Sequence, residues 1–107
     1  MKVLYLPEVE TYLFELIELL YRKEYFSFPE QAINYVLKIR RYIESSIAVA
    51  HKRKSPDYFV KYGKDMFYFI YKANANTSWY IFFQQREDNY LIRHITNNHV
   101  SAQYFQV

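Results

Sequence analysis

The chain has no cysteine and a single glycine among its 107 residues. The first absence excludes a disulfide framework and a thiolate zinc site. The second leaves no Gly-rich phosphate loop and no nucleophile elbow, and no paired-carboxylate site is visible, so nucleotide-binding and hydrolase classes are set aside. The histidines, His51, His94 and His99, show no HExxH arrangement, so neither a metal nor another cofactor is expected. Long apolar runs are lacking too. The longest, "MFYFIY" and "WYIFF", fall far short of the roughly 20 residues that cross a bilayer. The opening "MKVLYLPEVE" is interrupted at Pro7 and Glu8 before a signal-peptide core can form. These features lead to the expectation of a cytoplasmic protein with no membrane partner.

What the chain has in excess is aromatic side chains. Thirteen Tyr, nine Phe and one Trp make up 21% of it, large apolar surfaces with polar tips that suit cores, interfaces and base stacking. Fourteen Lys and Arg against eleven Asp and Glu give a net charge of +3. The resulting pI of about 9.0 fits an anionic partner. The length suits one hydrophobic core, so residues 1–107 are read as one domain.

The first half reads as helical. In "PEVETYLFELIELLYRKEYF", Leu13, Leu16, Ile17, Leu20 and Tyr21 follow helical spacing on one face. Pro7 fits the first turn, and Glu8 and Glu10 put negative charge at the positive end of the helix dipole. In "SFPE", Ser27 and Glu30 have the spacing of a capping box. The helix it opens carries a stripe of Ala32, Ile33, Val36, Ile39, Ile43 and Ile47. The two helices form a hairpin, followed by a basic loop, "AVAHKRKSPD".

From Tyr58 onward, short aromatic and β-branched blocks alternate with turn signals, which predicts strands at "YFVKY", "DMFYFIYK", "TSWYIFFQQ" and "NYLIRHIT". Gly63 is expected to supply a positive-φ hinge between the first two. With "KVLYL" at the start this gives an α+β domain: an N-terminal strand, a two-helix hairpin packed on one sheet face, then a four-stranded antiparallel meander. "WYIFF" is apolar at five consecutive positions, so both its faces are covered, either by a second aromatic cluster or by a ligand. Strict alternation along the last strand puts Leu91, Arg93 and Ile95 on one face and Tyr90, Ile92, His94 and Thr96 on the other. Asn97 and Asn98 read as turn residues ending it. Residues 99–107 hold few core-type positions and are expected to be dispensable for the fold.

The element order, the size and the phrases "TSWYIFF" and "ITNNH" resemble the RelE/ParE superfamily of toxins in type II toxin–antitoxin systems. The resemblance covers nearly the whole chain. It implies a sheet ordered 1-5-4-3-2 and a small acidic antitoxin as partner. It also implies either a RelE-like ribosome-dependent mRNA endonuclease or, alternatively, a ParE-like gyrase-directed toxin or a non-catalytic antitoxin-binding member. RNA cleavage of this kind needs no metal. A 2′-hydroxyl loses a proton as it attacks phosphorus, the leaving 5′-oxygen gains one, and positive charge steadies the phosphate. On that implication Arg93 is the phosphate stabiliser, His99 the acid or base, and Tyr104 their catalytic companion. Lys52, Lys54, Lys61, Lys64, Arg86 and His94 would contact RNA. The chain departs from the family pattern in two places. It reads Asp65-Met66-Phe67-Tyr68 where many RelE-like toxins carry an arginine, and it ends in "NNHVSAQYF" instead of basic residues followed by tyrosine.

Overall fold

The computed structural model describes residues 1–105. Its elements are β1 (Lys2–Tyr5), α1 (Pro7–Arg22), α2 (Pro29–Ser46), β2 (Arg53–Lys54), β3 (Phe67–Lys72), β4 (Ser78–Arg86), β5 (Asn89–Asn97) and a short α3 (Asn98–Ser101). The five strands form one mixed sheet in the order β1-β5-β4-β3-β2. β2 to β5 pair antiparallel, and β1 lies parallel to β5. This is an α+β architecture. Among the described residues no helix is long and apolar enough to cross a membrane.

The helices form where periodicity and proline placement predict, but their details differ. Helix α1 buries Val9, Leu13 and Leu16, whereas Tyr21 at its end stays exposed. Helix α2 begins at Pro29, not at a Ser27 capping box. The Gln31 side chain accepts from the backbone N–H groups of Ser27 and Phe28 at 3.1 and 3.2 Å, satisfying donors that precede the first turn. Its stripe is buried except for Ile33, which is exposed. The two apolar stripes pack with Phe69, Trp79, Ile81, Phe83, Tyr90, Ile92 and Ile95 into the main core. The Trp79 indole N–H donates to the Tyr35 hydroxyl at 2.9 Å, so this buried aromatic leaves no polar group unpaired.

Two expected boundaries change. "YFVKY" is not a strand: Asp57–Tyr62 forms a 3₁₀ helix. The edge strand comes instead from the basic loop, where Arg53 and Lys54 pair with Tyr68 and Phe67. Pro56 precedes the helical turn with an extended backbone, and Asp57 puts a carboxylate in its first turn. The turn buries Phe59 under the face of the sheet opposite the helices.

That face holds a second core of Phe59, Met66, Tyr68 and Phe82, flanked by Tyr62, Ile70, Tyr80, Tyr104 and Phe105. "WYIFF" is therefore covered twice, with Trp79, Ile81 and Phe83 on the helical side and Phe82 and Tyr80 on the other. The chain after β5 supplies part of this second cover. Phe105 stacks on Tyr80 at 4.1 Å and lies 5.1 Å from Tyr68 and 5.2 Å from Phe59. Ser101 is buried and its hydroxyl bonds that of Thr96 at 2.8 Å. The tail is thus part of the fold, which corrects the expectation of a dispensable appendage. Gln106 and Val107 lie outside the described residues.

Candidate functional site

Strict alternation along the last strand fails at one residue. Phe82 is opposite His94 and Phe83 opposite Ile92, so Arg93 is the extra residue of a β-bulge. The consequence is a change of face. Tyr90, Ile92 and Ile95 all join the helix-side core, while Arg93 and the adjacent His94 both serve the opposite side. The expected separation of Arg93 from His94 is thereby corrected.

Arg93 is held by two neighbours. Its Nε–H donates to the Tyr62 carbonyl at 2.6 Å, and Nη1 reaches the Gln84 Oε1 at 3.4 Å. Both hydrogens of Nη2 are left without a partner among the described residues. Lys61, on the same 3₁₀ turn as Tyr62, donates to the Tyr58 hydroxyl at 3.1 Å and lies 4.2 Å from the centre of the Tyr58 ring. That phenol is in turn stacked on Tyr104, with ring centres 3.5 Å apart. His94 stacks on Tyr62 with centres 3.7 Å apart and planes within 6°.

Lys61, Tyr62, Arg93 and His94 border one groove of about 510 Å³, which Glu8 and Tyr12 of α1 also line; Tyr58 is joined to it through Lys61. Its electrostatics follow from the packing. Burial, and secondarily the Lys61 charge, push the His94 imidazole down to about 4, so it is neutral at pH 7. The Tyr104 hydroxyl and the Lys61 ammonium hold the exposed Tyr58 phenol below its usual value. The same contact with Tyr58 raises Lys61, which keeps its charge. The result is two cations beside a neutral imidazole, with the Tyr58 phenol, held below its usual value, next to Lys61. Such a set can bind a phosphate diester and accept a proton next to it.

Of the residues the sequence suggested, the structure brings together Arg93, His94 and Lys61, with Tyr104 attached through Tyr58. The others lie elsewhere. His99 bonds Thr77 Oγ1 at 3.0 Å, just before β4, and does not line the groove. Lys52 places its ammonium 5.9 Å from the ring of Tyr90, a member of the helix-side core. Lys54 is on the edge strand β2, Lys64 follows the glycine, and Arg86 ends β4. Sequence reasoning missed Tyr62 and Glu8 as groove residues and Tyr58 as the partner of Lys61. The signal for the tyrosines was present, since Tyr58, Lys61 and Tyr62 have the i, i+3, i+4 spacing of a helical turn. Among the described residues no group of three or more His, Asp or Glu side chains is placed to hold a metal ion.

Comparison with protein-family models, with curated proteins and with solved structures finds no match to this chain.

Proposed function

We propose that this chain is a toxin of the RelE/ParE type that cleaves messenger RNA in the ribosome without a metal, in the cytoplasm, and is held inactive by a small acidic antitoxin. The observation that carries the reading is the meeting of Arg93 and Lys61 in one groove, which the start of α1 also lines. The strand order β1-β5-β4-β3-β2 supports it, being the order the family resemblance implies.

In this reading the Nη2 edge of Arg93 and the Lys61 ammonium hold the scissile phosphate and steady its charge as the 2′-oxygen attacks. Tyr58 is assigned to take the 2′-hydroxyl proton, because its hydroxyl lies 3.1 Å from the groove ammonium of Lys61, and Tyr104 and Lys61 hold it below its usual value. Lys61 then stands within reach of the same phosphate to return a proton to the leaving 5′-oxygen. His94, neutral and stacked on Tyr62, shapes the wall and adds no charge. His99 has no step in this scheme, because it sits against Thr77.

Inducible expression in a bacterial host, with and without the neighbouring open reading frame, tests the proposal. Growth arrest relieved by the neighbour, with new ends inside translated transcripts, is the expected result. Arrest without new ends would move the reading to a gyrase-directed or otherwise non-catalytic toxin. Normal growth in both arms would remove the toxin assignment.

A further inference from the structure

Gly63 is the only glycine in the chain, and its backbone does not require a glycine. Its φ of 162° is extended, a conformation open to any residue. The left-handed position nearby belongs to Asp65, at φ 53°. The expectation of a positive-φ hinge at Gly63 is therefore corrected, and another reason for the missing side chain is needed.

That reason is the approach of Arg93. A Cβ on Gly63 would lie 2.4 Å from Arg93 Nε and 2.7 Å from its Cδ, well inside van der Waals contact. The arginine side chain therefore occupies the space that any other residue at position 63 would fill. From there its Nε–H reaches the carbonyl of Tyr62, the residue just before the glycine, at 2.6 Å. The Met66 sulfur is the next neighbour, at 3.1 Å, and belongs to a flexible side chain that can give way by a few tenths of an ångström.

We infer that Gly63 is a positioning residue for Arg93: its bare Cα forms the slot that fixes the guanidinium on the Tyr62 carbonyl and turns the Nη2 edge to a phosphate diester in the groove. The inference rests on the RNA-directed reading for its ligand and on geometry alone for the positioning. Two devices then act on one side chain. The bulge in β5 brings Arg93 to the groove face, and Gly63 sets its angle there. A guanidinium offers a planar fork, so its orientation matters to phosphate recognition in a way that a lysine ammonium's does not.

The test is a double-mutant cycle of Gly63→Ala and Arg93→Ala on the full chain, read in three ways. Thermal melting follows the fold. The ¹⁵N–¹H signal of Arg93 Nε, with its hydrogen-exchange rate, follows the bond to Tyr62. Binding of a short single-stranded RNA oligonucleotide, by fluorescence anisotropy, follows the ligand. Gly63→Ala should speed exchange at Arg93 Nε–H by about tenfold or more and weaken RNA binding about tenfold, as loss of one charge-assisted hydrogen bond does. In the Arg93→Ala background the same substitution should cost nothing further in binding and little in melting temperature, because the obstructing side chain is gone. If Gly63→Ala fails to fold, recovery of the fold in the double variant supports the slot, and continued unfolding overturns it. Equal losses in both backgrounds, or an unchanged Arg93 Nε–H signal in Gly63→Ala, would also overturn it. If wild type binds no RNA, the functional reading fails while the exchange and melting arms still decide the positioning.

Discussion

Lowering the pH from 7 to 5 should destabilise this protein through His94 in particular. The imidazole sits between Tyr62 and the second core, 5.6 Å from the Phe82 ring and 6.0 Å from Phe59. Lys61 and Arg93 border the same groove as cations, and Glu8 borders it as an anion. Burial and the Lys61 charge bring the folded value to about 4, against roughly 6.5 for an unfolded chain. Between those values the unfolded state binds more protons than the folded one, so stability is fully present above about 6.5 and falls as pH drops toward 4. The linkage expression with these two values gives a loss of about 2 kcal/mol between pH 7 and pH 5. Solvent screening at a partly buried ring reduces it to about 1 kcal/mol. Urea denaturation at a series of pH values, comparing wild type with His94→Gln, isolates this contribution from carboxylates that titrate at lower pH. The wild type should lose about 1 kcal/mol more than the variant over that interval. An NMR titration in which the His94 ring has its midpoint near 6.5, or parallel pH profiles for the two proteins, would refute the reasoning.

Phe105→Ala should destabilise the fold by about 2 to 3 kcal/mol in urea denaturation, somewhat under a fully buried Phe truncation, because the ring is only half-buried over Tyr80, Tyr68 and Phe59. Truncation after Asn98 should lower the melting temperature further, since it also removes the Ser101 hydroxyl from Thr96 and exposes Phe82; an unchanged melting curve would mean that the tail is not part of the second core. In single-turnover cleavage of ribosome-bound messenger RNA, Arg93→Ala should slow the reaction by about 10²- to 10³-fold, the usual cost of losing one transition-state donor. Lys52→Ala, whose ammonium lies by Tyr90 on the helical side, should change the rate by less than about threefold. Equal rates for wild type and Arg93→Ala would take the guanidinium out of the mechanism. Tyr58→Phe keeps the stack on Tyr104 but loses the hydroxyl that Lys61 bonds, so it should slow cleavage by about 10²-fold or more as expected for loss of a general base; a small change at constant pH profile would exclude it as the proton acceptor.

Local pattern was enough for much of this molecule. Helical spacing from Leu13 to Leu20 and from Ala32 to Ile47, with Pro7 and Pro29 at the starts, specifies both helices, because amphipathic period and proline placement act within a few residues. The blocks after Met66 specify β3, β4 and β5, and the Glu87-Asp88 turn between the last two is equally local, with Glu87 at φ 57°. The apolar run at Trp79 to Phe83 likewise required cover on both faces. What the sequence did not contain in readable form was anything that depends on distant segments meeting. Tyr58 to Tyr62 has strand composition, yet burying Phe59 against Phe82 is achieved by a 3₁₀ turn, and the edge position passes to Arg53 and Lys54. One bulged residue puts Arg93 on the same side as His94, because a period of two inverts its faces wherever a single residue is added. The partners of Phe105, the separation of His99 from Arg93, and the slot at Gly63 are likewise products of packing. Each depends on two segments that are far apart in the chain, so only the folded arrangement decides which charges and rings share the groove.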